Sequence, residues 1–187
     1  MSGIIVYKSK YGTSKKYAEW LSEETGFRCV SVKDAKIEEV AACDTIIVGG
    51  GIYASGFAFT PFLKKNSGKL KGKKIIAYAC GASPYVKKFI DEVVARNMKD
   101  DLAGIPVFYC RGTYDLKSMS FADRTLCKML RKSVAKKDPK DREVWEEALM
   151  EAMRITAATG RTRLTLNRFW KPLKPLKPGS YLCLTAC

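Results

Sequence analysis

The chain contains no histidine. Ser-His-Asp and Cys-His nucleophiles, HExxH metal sites and imidazole general bases are excluded together. An enzyme built without them points to a cofactor for its hard chemistry. Long apolar runs are lacking too, and no stretch approaches the roughly 20 residues of a membrane span. The seven cysteines, Cys29, Cys43, Cys80, Cys110, Cys127, Cys183 and Cys187, form no CxxC pair. That spacing argues against zinc-ribbon and thioredoxin-like sites. Most of them lie in apolar segments, where a free thiol behaves as a small hydrophobe. Their odd number and placement read as a reducing cytoplasm. A CaaX box is missing, because Leu184 stands where it needs cysteine. The start "MSGIIVYKSKYG" has no basic region ahead of its short apolar run, so it does not read as an export signal. Acidic residues are scarce: 19 against 34 basic ones, a net charge of +15. Such a field favours acidic partners, an anionic membrane surface or nucleic acid. A solvated lysine-rich surface accounts for it equally well. Aromatics are not interleaved with the basic runs, which ranks nucleic acid last.

What is present suits one soluble globular domain: 187 residues, 47% hydrophobic and 28% charged. Ile4 to Tyr7 is a short apolar run, as in a strand buried on both faces. Ser14 to Thr25 reads as a helix with Tyr17, Ala18 and Leu21 on one face. Phe27 to Val32 alternates as a second strand, Ile37 to Ala42 suits a short helix, and Thr45 to Val48 is a third strand running into "GGG". Thr60-Pro61 predicts an N-cap and a first-turn proline. Lys74 to Ala79 is a fourth strand. Ser83-Pro84 predicts another helix start, with Val86, Phe89, Ile90, Val93 and Val94 on one apolar face. Ile105 to Cys110 is a fifth strand. Helices are expected near Phe121 to Val134 and Arg142 to Ala157, with "KKDPKD" as the loop between them.

Alternating strands and helices imply an α/β fold with a parallel sheet, and a ligand crevice at the carboxyl ends of its strands. Those ends carry "KSKYGTS", "GGGIYASG", "ACGASPY" and "CRGTYD". Residues 1–159 read as the domain. From Gly160 the chain has no acidic residue and repeats Lys-Pro-Leu, an extended basic tail over 160–187. A mobile arm, a partner ligand, a membrane-surface anchor and an appendage without function are all compatible with that composition.

The first loop carries the most chemistry. A helix N-terminus offers free N–H groups and partial positive charge, a ready phosphate site. Ser9, Thr13 and Ser14 can add hydroxyl donors, and Gly12 lets the backbone approach closely. Lys10 and Lys15 place positive charge beside it. The spacing is neither G-x-G-x-x-G nor G-x-x-x-x-G-K-[ST], so it suits a phosphate monoester better than a dinucleotide or a P-loop nucleotide. An ordinary strand-to-helix turn capped by Ser14 fits the same residues.

"YKSKYGTSKKYAEWL" resembles the phosphate loop of flavodoxin-like proteins, which bind flavin mononucleotide (FMN). "DTIIVGGGIYASGFAFTPFLKKNSGKL", and more weakly "YDLKSMSFADRTLCKMLRK", are similar to the menaquinone-dependent protoporphyrinogen oxidase branch of that family. The resemblance covers about Ile4 to Arg154. It implies a doubly wound five-stranded parallel sheet of order 2-1-3-4-5 with helices on both faces, the order that flavodoxin itself illustrates. It implies that Ser9, Lys10, Tyr11, Gly12, Thr13 and Ser14 surround the FMN phosphate. Ile52, Tyr53 and Ala54 would line one side of the isoalloxazine. Cys80, Gly81, Ala82 and Tyr85 would line the other side or the ribityl chain, with Gly112, Thr113 and Tyr114 at the rim. Tyrosine stacking in an apolar pocket agrees with a flat aromatic ligand, and Cys80 reads better as packing than as redox chemistry.

Three functions follow from this resemblance: an FMN-dependent oxidoreductase, quinone-linked or protoporphyrinogen oxidase-like; a flavodoxin-type electron carrier docking a redox partner; and a flavin-free partner-binding module. Familiar flavodoxins are acidic. A chain at +15 implies a less negative potential for the second electron, limited by screening beyond about 8–10 Å. The expected location is cytoplasmic, or peripheral at the inner face of the membrane.

Overall fold

The computed structural model describes residues 2–82, 85–112, 116, 118–143, 146, 147 and 150. Strand β1 (Gly3–Lys8) leads into helix α1 (Thr13–Thr25), followed by β2 (Arg28–Ser31), α2 (Ile37–Ala41), β3 (Thr45–Tyr53) and β4 (Gly56–Phe57). Then come α3 (Thr60–Leu70), β5 (Lys74–Gly81), α4 (Lys87–Asn97), β6 (Val107–Arg111) and α5 (Phe121–Ala135). Short 3-10 turns span Asp100–Leu102 and Pro139–Asp141; the second falls inside the segment expected to be loop.

The sheet order is β2-β1-β3-β5-β6, every neighbouring pair parallel. Counted over the parallel strands alone, this is the expected 2-1-3-4-5. The two-residue β4 is an addition that pairs antiparallel with the end of β3.

Side chains alternate across the strands, and two apolar layers result. Ile4, Val6, Ile46, Val48, Ala77 and Ala79 point to one face, where Val40 of α2, Leu63 of α3 and Val93 of α4 cover them. Ile5, Ile47, Tyr78, Cys80 and Cys110 point to the other, where Ala18 and Leu21 of α1 cover them. Burial on both faces explains why the central strands read as unbroken apolar runs.

Several boundaries differ from expectation. β3 continues through all three glycines to Tyr53. Gly49 lies opposite Tyr78 of β5, and a Cβ there would stand 1.8 Å from the Tyr78 ring. That glycine is therefore what lets a tyrosine lie across the sheet. Thr60 is not the N-cap of α3; Phe59 holds that position, and the buried Thr60 hydroxyl has no partner among the described residues. α4 starts at Lys87, because Val86 is extended at φ −129° and ψ 113°. The expected start at Ser83-Pro84 lies outside the described residues, as do the expected helix ending at Ala157, for most of its length, and the whole tail.

Candidate cofactor-binding site

The carboxyl ends of β1 and β3 diverge to their flanking helices at the switch point where this sheet order reverses. Ser9 to Gly12 form the bend between β1 and α1. Ser9 Oγ accepts from the Gly12 N–H at 3.0 Å. Gly12 is the α1 N-cap with φ +89°, a left-handed value that favours glycine, and no atom lies within 4 Å of where a Cβ would stand. No side chain caps this helix, and its first turn holds no acidic residue. Ser14, proposed from the sequence as either phosphate ligand or cap, is buried, and its backbone carbonyl accepts from the Tyr78 hydroxyl at 2.8 Å. Tyr78 thus runs from the floor of the sheet to the first turn of α1. Burial pushes its phenol far above the ordinary tyrosine range, so it stays a neutral donor. Thr13 opens the helix, 3.6 Å through its methyl from where a Cβ on Gly112 would stand. Gly112 donates to the Gly81 carbonyl at 2.7 Å, tying the ends of β6 and β5 together beside that turn. Tyr17 closes the same corner by donating to the Arg111 carbonyl at 3.0 Å.

Lys10 and Tyr11 make a contact that could not be read locally. The Lys10 ammonium pairs with the Asp123 carboxylate, and the Tyr11 hydroxyl donates to it. Asp123 lies in the first turn of α5, whose N-cap Ser120 accepts from the Asp123 N–H at 3.3 Å. The bonds from Lys10 and Tyr11 hold the Asp123 carboxyl below its ordinary value, and Asp123 holds Lys10 above its own. This clasp brings a carboxylate and its counter-cation to the edge of the bend between β1 and α1. Lys15, by contrast, pairs at the surface with Glu19 at 3.5 Å.

Tyr53 folds back over the end of its own strand. A Cβ on Gly51 would stand 2.7 Å from the Tyr53 hydroxyl. Partial burial raises the phenol above its ordinary value, and the nearby Lys10, through its charge and its backbone N–H, opposes the rise. Tyr53 and the bend between β1 and α1 therefore share one edge of the crevice. Ala54 and Ser55, the two turn residues between β3 and β4, both have positive φ, 47° and 60°. A two-residue hairpin favours that geometry, but it costs a non-glycine residue about 1–2 kcal/mol. Asn97 at the end of α4 holds the turn in place. Its Nδ2 donates to the Ser55 carbonyl at 2.7 Å and to the Val93 carbonyl at 2.8 Å, and its Oδ1 accepts from the Phe57 N–H at 3.1 Å.

The remaining candidates scatter. The Ile52 side chain packs against the core layer under α3 and α4. Cys80 is buried opposite Cys110 in the layer under α1, close enough that the two thiols interact, so its side chain belongs to the core. Ala82 faces a small cluster with Val134, Leu116, Met119 and Cys127. Tyr85 is half-buried, its ring 5.9 Å from that of Tyr109. Thr113 and Tyr114 lie outside the described residues. Two residues that shape this edge were missed, Asp123 and Asn97. "SFAD" at 120–123 carries the S-x-x-D cap signature, but its partner loop is more than a hundred positions away. Nothing around Asn97 marks it.

These features define a doubly wound α/β protein whose crevice lies at the β1/β3 switch point. The family model described as "Flavodoxin domain" matches residues 4–142, well over half of the chain. The chain belongs to the flavodoxin domain family. Among solved structures it is similar to an archaeal flavodoxin, 19% identical over 83% of this chain and 99% of the other, with a TM-score of 0.41. It is also similar to a WrbA-like flavodoxin from Agrobacterium tumefaciens, 15% identical over 87% of this chain and 99% of the other, with a TM-score of 0.40. No curated protein matches.

Proposed function

We infer that the chain binds FMN and works as a flavodoxin-type redox protein. The observation that carries this reading is the N-terminus of α1: uncapped by any side chain, free of acid in its first turn, and opened by a left-handed glycine. Such a terminus suits a phosphate dianion through its N–H groups and dipole. Ser9 and Thr13 would add hydroxyl donors, and Tyr53 would bound the ring side of the crevice. Bound there, FMN would supply the electron-transfer chemistry that the side chains lack.

The finer reading is a quinone-linked oxidoreductase, with protoporphyrinogen as one candidate substrate. It draws on the likeness of residues 44–70 to the menaquinone-dependent oxidase branch and on the positive charge of the chain. A flavodoxin-type carrier that docks a redox partner stands beside it. Titration with FMN, followed by flavin fluorescence, is expected to saturate at an equimolar ratio. Riboflavin should bind at least about tenfold more weakly, because it brings no phosphate to the helix terminus. A chain that takes up neither flavin removes this reading and leaves the partner-binding module. Turnover with a reduced quinone or porphyrinogen then separates enzyme from carrier.

A further inference from the structure

Helix α5 leaves large apolar side chains uncovered. Phe121 is 83% exposed, Leu126 65%, Met129 63% and Leu130 39%. Leu126, Met129 and Leu130 fall at i, i+3 and i+4, which makes one stripe along the helix. A helix turns about 100° per residue, so Lys132 and the C-cap Lys136 lie on the solvent-side edge next to Met129, and Lys128 lies further round, on the polar face behind that edge. All three are exposed, and none makes an ion pair among the described residues. The other edge of the stripe is the buried side of α5, where Cys127 and Val134 pack. An apolar stripe with a lysine edge is the pattern of a helix lying in a membrane interface.

We propose that α5 is a lipid-docking surface, which seats Leu126, Met129 and Leu130 among the acyl chains of a bilayer and Lys128, Lys132 and Lys136 against anionic phospholipid headgroups. Charge selects this occupant. The chain carries +15, so a second copy laid on the same face meets like charge. Three apolar side chains also fall short of the about 20–30 residues a side that a stable interface uses. The segment from Gly160 to Cys187 has no acidic residue and six basic ones (Arg161, Arg163, Arg168, Lys171, Lys174 and Lys177). It would be repelled by the lysine edge and attracted by the same lipid, and a second basic signal is what weak interfacial binding needs. No described helix is long and apolar enough to cross a membrane, so contact through α5 would be peripheral.

Co-sedimentation of the full chain with vesicles of phosphatidylcholine, with and without phosphatidylglycerol, tests this. Binding is expected only where phosphatidylglycerol is present. Leu126→Glu with Met129→Glu should lower the partition at least about tenfold, and Lys128→Glu with Lys132→Glu should lower it comparably. Urea midpoints should not move, since all four positions are exposed. If the Glu pair did lower the midpoint, Leu126→Ser with Met129→Ser should give the same loss of binding. The proposal is overturned if the full chain ignores the anionic vesicles, or if the apolar substitutions leave binding intact, which would assign it to charge alone. A concentration-dependent dimer that the same substitutions dissociate would give the face to a second copy and overturn it equally. The readout is lipid partition, so it stands apart from the flavin reading.

Discussion

Helices α1 and α5 are joined at their N-terminal ends, where Lys10 and Tyr11 before α1 bind Asp123 of α5, and they are built in opposite ways. α1 places Ala18 and Leu21 in the layer it shares with the sheet and leaves its N-terminus uncapped. α5 closes its N-terminus with Ser120, buries Val134 in a small satellite cluster, and exposes Phe121, Leu126 and Met129. One helix gives its side chains to the fold and leaves its N-terminal N–H groups open. The other gives its end to the fold, through Asp123, and keeps its side chains at the surface. An apolar pattern in the sequence is therefore no guide to which helix the core needs.

The contrast is most exposed to failure through stability. Leu21→Ala is expected to cost about 2–5 kcal/mol, and Leu126→Ala no more than about 0.5 kcal/mol, by urea denaturation. Equal costs would mean that the face of α5 is covered in solution. A smaller effect is expected at the crevice edge. Asn97→Ala removes three hydrogen bonds, two of which hold the β3–β4 turn, and should cost about 1–3 kcal/mol. Ala54→Gly should gain up to about 1 kcal/mol by relieving the left-handed strain, less the entropy that glycine adds to the unfolded chain. A loss at Ala54→Gly would remove the strain argument.

Asp123→Asn sharpens the comparison at the point where the two helices touch. It withdraws a carboxylate from the phosphate loop and frees Lys10, so FMN should bind about threefold more tightly, a modest gain because the pair is exposed and screened. Riboflavin affinity should not change; a parallel gain for riboflavin would place the effect away from the phosphate. The pH dependence is the smallest effect. Asp123 is held below its ordinary 3.8, so the clasp contributes fully above that pH and is lost as the pH falls through the lowered value. Lys10 is held above 10.5, so its share persists below that pH and is lost as the pH rises through the raised value. An NMR titration of the Asp123 carboxyl should find its midpoint below 3.8, raised by Lys10→Met and raised further when Tyr11→Phe is added.

The α/β class and the order of the parallel strands were legible, because strands buried on both faces write themselves as runs such as "TIIV" and "KIIAYAC". The bend before α1 was legible as a hydroxyl-rich turn around Gly12, but its cap was not: Ser14 fitted that role in sequence, and Gly12 holds it with no side-chain bond. The reach of β3 was not, because three glycines read as a turn until Tyr78 is known to need the space over Gly49. The β4 hairpin hid for a related reason: Ala54 and Ser55 are poor candidates for positive φ, and the residue that holds them there is Asn97 on α4. The Lys10–Asp123–Tyr11 clasp depends on tertiary contact alone. Local pattern cannot show such pairings, and they set the edge of the site.

The Asn97 contact has a consequence for how this crevice could diversify. The lip formed by Tyr53, Ala54 and Ser55 takes its shape from a side chain rooted in the last turn of α4, 42 positions from Ser55. A replacement there can retilt the lip while every residue that lines the opening stays the same. Two relatives with identical crevice residues could then differ in what they admit, and the cause would lie in the last turn of α4.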